Sequence, residues 1–298
     1  MLLASSNVFY WAKVLSRFVS VQIIVQILGM VSGILIVRTL SREEYALFTI
    51  ANSFQSTLNV LADSGIISAL SAIGGRVFKD KSQFSELIQT SLRLRYRLAA
   101  MVVLPTIPIL LWMLTSNGAS LSYAILVICA TLIELNFHLK TAILLMPLQL
   151  HAQINRIQTL DFLVAFSRLS SLVAARFILL NTFTSILSSA ISIGLRLLYL
   201  NRWTFENIDK EASINKEYEK EITLIIRSQF SYFLFYCFQG QIGIWLISIF
   251  GQPGNVAEVG ALGRLGVIFS IVNSVMANII SPSYARCQSI QTLRNRYW

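Results

Sequence analysis

The chain has 298 residues, of which 55% are hydrophobic and only 13% charged, and its mean hydropathy is +0.66. Water-soluble domains carry about twice that charged fraction, so much of the apolar surface must face lipid, and a soluble enzyme is not expected. The formal charge of +10 would suit nucleic acid, but Lys and Arg collect between apolar runs, as in the cytoplasmic loops of membrane proteins, so no nucleic-acid partner is expected.

A bilayer core of about 30 Å needs roughly 20 apolar helical residues per crossing. The first candidate span is 18–37; Lys13 and Arg17 precede it, no small-residue cleavage site follows it, and it reads as a retained span, not a signal peptide. The second, 45–73, is more polar, with Asn52, Gln55, Asn59 and Asp63. The third, 98–114, follows a helical run carrying Arg93, Arg95 and Arg97, and Pro105 and Pro108 are expected to kink it. The fourth, fifth and sixth are 121–150, 160–179 and 182–200. Residues 201–221 then form a charged stretch without an apolar face, the one convincing linker. A seventh span, 222–250, an eighth, 256–280, and a basic tail, 286–298, follow.

The expected fold is an all-α polytopic transmembrane bundle of about eight spans. It divides into a six-helix N-terminal lobe (1–200), a cytoplasmic linker (201–221) and a partial second lobe with the tail (222–298). Basic residues fall on alternate connections. Lys13, Arg17, Arg76, Lys79, Lys81, Arg156, Arg202, Lys210, Lys216, Lys220, Arg286, Arg294 and Arg296 share one side, opposite Arg38, Arg42 and the uncharged SNGAS and GQPGN turns. Both termini are therefore expected in the cytoplasm.

Charges inside spans cost at least about 2.5 kcal/mol at the bilayer centre and face a cavity or a partner. Asp63, Glu134, Lys140, Asp161, Arg168, Arg176 and Arg264, with His138, are such residues. Glu134 and His138 share a helix face at i, i+4, and Asp161 and Arg168 lie two turns apart on another. Together they point to a polar interior, whether as ion pairs within the bundle or as contacts to a substrate. His138 and Glu134 make only half a metal site, and no metal or other cofactor is expected. Gly29 and Gly33 form a G-x-x-x-G step that suits close helix packing; Gly260, Gly263 and Gly266 suit close packing or bending. Cys129, Cys237 and Cys287 have neither disulfide nor metal-ligand spacing. No P-loop or nucleophile elbow is present.

The stretch 36–76 reads IVRTLSREEYALFTIANSFQSTLNVLADSGIISALSAIGGR. It resembles the first-to-second-helix signature of polysaccharide-biosynthesis membrane proteins, the O-antigen and lipid-linked oligosaccharide flippases of the multidrug/oligosaccharidyl-lipid/polysaccharide exporter superfamily. The matching positions are Arg38, Leu40, Glu44, Tyr45, Asp63, Gly65 and Ala69, with Ala46 where the pattern has Gly. Glu258, Val259 and Gly260, then Pro282, Tyr284 and Arg286, echo the start of a second repeat.

The resemblance implies alternating-access flipping of an undecaprenyl-diphosphate-linked oligosaccharide across a bacterial inner membrane. Arg38, Lys140, Arg168, Arg176 and Arg264 would contact the diphosphate, Arg being suited to phosphate. Asp63, Glu134, His138 and Asp161 would act as ion-coupling or structural polar groups. Such flippases have two six-helix lobes, so the short second lobe implies a truncated chain or missing helices supplied by another chain. A drug or metabolite exporter of the same superfamily, and a non-transporting partner of a polysaccharide polymerase, are the alternatives.

Overall fold

The structure, a computed structural model, describes residues 2–204, 208–209, 212–263 and 270–285. Among them the chain is helical throughout and contains no strand. In order come α1 (Leu2–Thr39), α2 (Arg42–Asp63), α3 (Ile66–Val77), α4 (Lys81–Ser116), α5 (Leu121–Leu150), α6 (Ile154–Ile178), α7 (Thr182–Thr204), α8 (Lys216–Phe250) and α9 (Pro253–Gly263). Beyond 264–269, α10 (Ser270–Val275) continues through the π-helical turn Met276–Ile280 into α11 (Ser281–Ala285).

Short polar residues between the apolar runs start the helices by accepting orphan backbone N–H groups. Ser41 takes the amide of Glu44 at 3.2 Å, Asp80 that of Ser82 at 3.0 Å, and Asn215 that of Glu217 at 2.9 Å. Five helices are long and apolar enough to cross a membrane: α1 from Phe18, α4, α5, α7 and α8. The α2–α3 pair makes a sixth if counted as one span bent by 41°. The chain is thus a multi-pass helical bundle built for a membrane. α6 carries Arg156, Asp161, Arg168 and Arg176 and is not among these helices, although it packs between α1 and α7. The expected eighth crossing runs partly through 264–269, outside the described residues.

The turns after α1, α4, α6 and α8 gather at one end. Glu44 receives the Tyr123 hydroxyl and the Thr182 amide there, both at 2.8 Å, and the Asn117 amide reaches the Ser248 carbonyl at 3.2 Å. The connections after α3, α5 and α7 lie at the other, basic end, where Arg97 pairs with Glu219 at 2.6 Å and Arg76 with Glu221. The connections therefore alternate as the charge pattern implies.

Three apolar cores fill the bundle, one at each end and a smaller one between them built from Leu58, Ala62, Ala99, Leu135 and Leu139. The first gathers Ile36, Phe48, Leu114, Val127 and Ile186 with Val256 of α9; the second gathers Leu70, Phe84, Ile143 and Leu200 with Ile222 of α8. The helices that follow the linker are thereby packed into the cores of the first seven. Outward faces are apolar, as with Leu104 (72% exposed) and Phe177 (83% exposed), which suits lipid.

Three sequence expectations change. The second span is not one straight helix: Ser64 (φ 39°) and Gly65 (φ 97°) are left-handed and end α2, and the Asp63 carboxylate accepts the Ile67 amide at 3.1 Å to begin α3. The charged linker is shorter than 201–221, because α7 runs to Thr204 and α8 begins at Lys216. It also docks: Ile208 is 2% exposed in the basic-end core, and the Asp209 amide donates to the Ser85 hydroxyl at 2.9 Å. Among the described residues a Cβ at Gly29 would meet nothing, although Gly33 of the same step is buried, whereas a Cβ at Gly260 would strike the Thr49 side chain of α2 at 2.3 Å.

Glu44 joins the starts of α2, α5 and α7 through hydrogen bonds to a charged acceptor. Glu44→Ala should therefore cost about 2–3 kcal/mol, read as a lower thermal midpoint in detergent. Glu43→Ala, exposed beside it, should stay within about 0.5 kcal/mol of the parent; equal effects would refute the staple.

Candidate functional site: a charged layer between two cores

Between the two end cores α5, α6 and α7 enclose a polar cavity of about 170 Å³. α5 supplies Glu134, His138 and Thr141; α6 supplies Arg168; α7 supplies Ser189, Ser192 and Arg196. The spacing of each set follows from the helix period, which returns a side chain to one face every three or four residues. The α7 serines are small enough for close approach to α5, and the Ser192 hydroxyl is satisfied by the Ser188 carbonyl at 2.8 Å.

Charge compensation runs across helices. Arg196 Nη2 lies 3.0 Å from Asp161 Oδ1, and Gln22 Nε2 of α1 donates to Asp161 Oδ2 at 2.8 Å. One carboxylate therefore ties α1, α6 and α7 together, with the carboxylate and guanidinium side chains only 15% and 19% exposed. Asp161 and Arg168 share a helix, but the ion pair forms between Asp161 and Arg196. Glu134 and His138 do share a face, with Oε1 and Nε2 3.9 Å apart, too far for a hydrogen bond. Alongside, Arg95 of α4 is 4% exposed and faces Asp63 at 3.9 Å. Its Nε and Nη1 have no hydrogen-bond partner, so its charge is compensated by field more than by direct bonds.

The depth of this layer is set by helix length. At 1.5 Å per residue, α4 and α8 are each more than about 50 Å long, well beyond a core of about 30 Å. Measured along the helices from the turns opposite the basic end, Glu134, His138, Asp161 and Arg196 lie about 20–26 Å in, and Asp63 and Arg95 about 32 Å in. Along the helices the charged layer therefore falls between the two end cores. Arg168 lies about 15 Å in.

The five proposed diphosphate contacts do not form one pocket. Arg168 lines the cavity. Arg38 and Arg176 are exposed at the opposite end, where Arg176 donates to Thr39 Oγ1 at 2.8 Å. Lys140 is half-buried on the outer side of α5, with no ion pair among the described residues. Arg264 lies outside the described residues. Of the polar set, Glu134, His138 and Asp161 gather in this layer, and Asp63 joins it through Arg95.

Arg95, Arg196 and Gln22 are the residues that sequence reasoning passed over. Arg196 precedes the charged linker and resembles a helix-end cation. The signal was its register with Ser189 and Ser192, which makes a polar stripe on an apolar helix. Of Arg93, Arg95 and Arg97, only Arg95 continues the buried stripe of Ser91 and Ala99.

Removing the Asp161 carboxylate strands a buried cation and the Gln22 amide. Asp161→Ala should cost about 2–4 kcal/mol, and adding Arg196→Met should recover part of that loss in thermal unfolding in detergent. A double variant no more stable than Asp161→Ala alone would show that the pair carries no such charge. Comparison with protein families, with curated proteins and with solved structures finds no match to this chain.

Proposed function

We propose that this chain takes part in moving a lipid-linked oligosaccharide, an O-antigen or other surface-polysaccharide unit on a polyprenyl diphosphate, across a bacterial inner membrane. The basic end faces the cytoplasm in this reading. The observation that carries it is the chemistry of the charged layer: three largely buried guanidinium groups, Arg95, Arg168 and Arg196, at the level where the diphosphate of a membrane-embedded lipid would enter. Arg presents a planar donor fork suited to such oxygens. The cavity of about 170 Å³ is smaller than a glycan, so this layer would meet the charged headgroup while the sugars travel elsewhere.

The resemblance of 36–76 to flippases also supports it, and the matched positions do structural work here. Glu44 staples three helices, Tyr45 and Ala69 are buried, and Asp63 and Gly65 make the break between α2 and α3. A broken helix gives a bundle a place to pivot, which alternating access requires.

Flipping of a fluorescent polyprenyl-diphosphate glycan in proteoliposomes tests the reading. Arg95→Ala, Arg168→Ala and Arg196→Ala should each slow it by about tenfold or more, the loss of one charge-stabilising group costing that much or more, while Arg→Lys retains part of the rate. Parent-like flipping by all three Ala variants would end the assignment, as would a parent protein that leaves the labelled lipid in place.

A further inference from the structure

A second cationic locus lies on the outside of the bundle, at the groove between α4 and α5. The Tyr96 hydroxyl of α4 donates to Asn136 Oδ1 of α5 at 2.8 Å, fixing how these two outward faces meet. Arg93 is one turn from Tyr96 and Lys140 one turn from Asn136, both toward the basic end, so the two cations flank the hydrogen bond on adjacent helices. Arg93 is exposed and Lys140 half-buried, and neither has an ion pair among the described residues. Arg97, one turn further along α4, is already taken by Glu219 at 2.6 Å.

Among the described residues neither cation is paired with a carboxylate of its own helices. The only acidic residues of α4 and α5 are Glu86 and Glu134. Glu86 accepts from the Asn215 amide at 2.9 Å, and Glu134 lines the interior cavity. The Asn136 amide nitrogen has no partner among the described residues either, so the groove presents donors and cations alone.

Its height identifies the occupant. Arg93 and Lys140 stand about 15–18 Å from the basic-end termini of their helices. From about 10 Å further toward the opposite end the outward faces are apolar, with Met101 67% and Leu104 72% exposed on α4, and Ile133 46% and Leu126 50% exposed on α5. That change marks the edge of the hydrocarbon, where lipid phosphates lie. Basic grooves between membrane helices at this level hold anionic headgroups.

We infer that the α4–α5 groove is a binding site for an anionic phospholipid of the leaflet at the basic end. Arg93 and Lys140 grip the headgroup phosphate, Asn136 donates its amide, and the acyl chains lie along Met101, Leu104 and Ile133. The site faces outward and is separate from the interior charged layer, so it does not depend on the transport reading.

Native mass spectrometry of the full chain, carried through phosphatidylglycerol and phosphatidylcholine nanodiscs, tests this. Phosphatidylglycerol should be retained preferentially, and Arg93→Ala and Lys140→Ala should each lower that preference by about fivefold, the effect of about 1 kcal/mol per cation. The double variant should abolish it, while Arg202→Ala, an exposed basic control, should not. A thermal midpoint in phosphatidylcholine that matches the parent shows that the double variant is folded; if it is not, Arg93→Gln with Lys140→Gln takes its place. Equal retention of the two lipids, or a folded double variant that keeps the preference, overturns the site. Protection of the groove by millimolar inorganic phosphate as effective as by the lipid would show a free-anion site instead, and would overturn it too.

Discussion

Hydrocarbon offers no partner to a carboxylate or a guanidinium, so each ionised side chain within it must find one inside the bundle. Asp161 meets that demand for three helices at once, holding Gln22 of α1 and Arg196 of α7 from a position on α6. The apolar cores grip the bundle at its two ends, and the charged layer between them sets how α1, α6 and α7 register against one another. Apolar packing tolerates sliding and repacking. A directional contact to a largely buried charge does not, because a shifted partner leaves the charge unpaired.

The same constraint explains the shape of the α2–α3 break. Asp63 has two tasks there, capping the first turn of α3 and facing the Arg95 charge. Ser64 and Gly65 supply the left-handed backbone that turns one helix into the next, a conformation that glycine adopts without steric cost. Gln229 of α8 approaches Gly65 so closely that a Cβ there would lie 2.6 Å from its side-chain oxygen. The break thus sits where α2, α3, α4 and α8 meet.

Helix length separates an interior charge layer from an exterior one. α4 and α5 outrun the hydrocarbon, so one helix can carry a buried guanidinium, Arg95, and an outward one, Arg93, two residues apart. The interior layer faces groups within the bundle, and the outer groove faces lipid headgroups.

Much of the fold was legible in the sequence. The bounds of α5 coincide with its apolar run, α7 and α8 extend theirs by only a few residues, and the alternation of basic connections gave the two ends. These features follow from local composition, since any helix of that length and hydropathy must find lipid or a core. The pairing of Glu134 with His138 on one face was equally local, because helical periodicity alone decides it. What the sequence could not show was which cation answers Asp161, since Arg168 is nearer along the chain and Arg196 nearer in space. Nor could it show that Ile208 buries itself against α4. Those facts depend on how seven or more helices tilt and pack against one another, and contact between distant segments is decided only when the whole bundle closes.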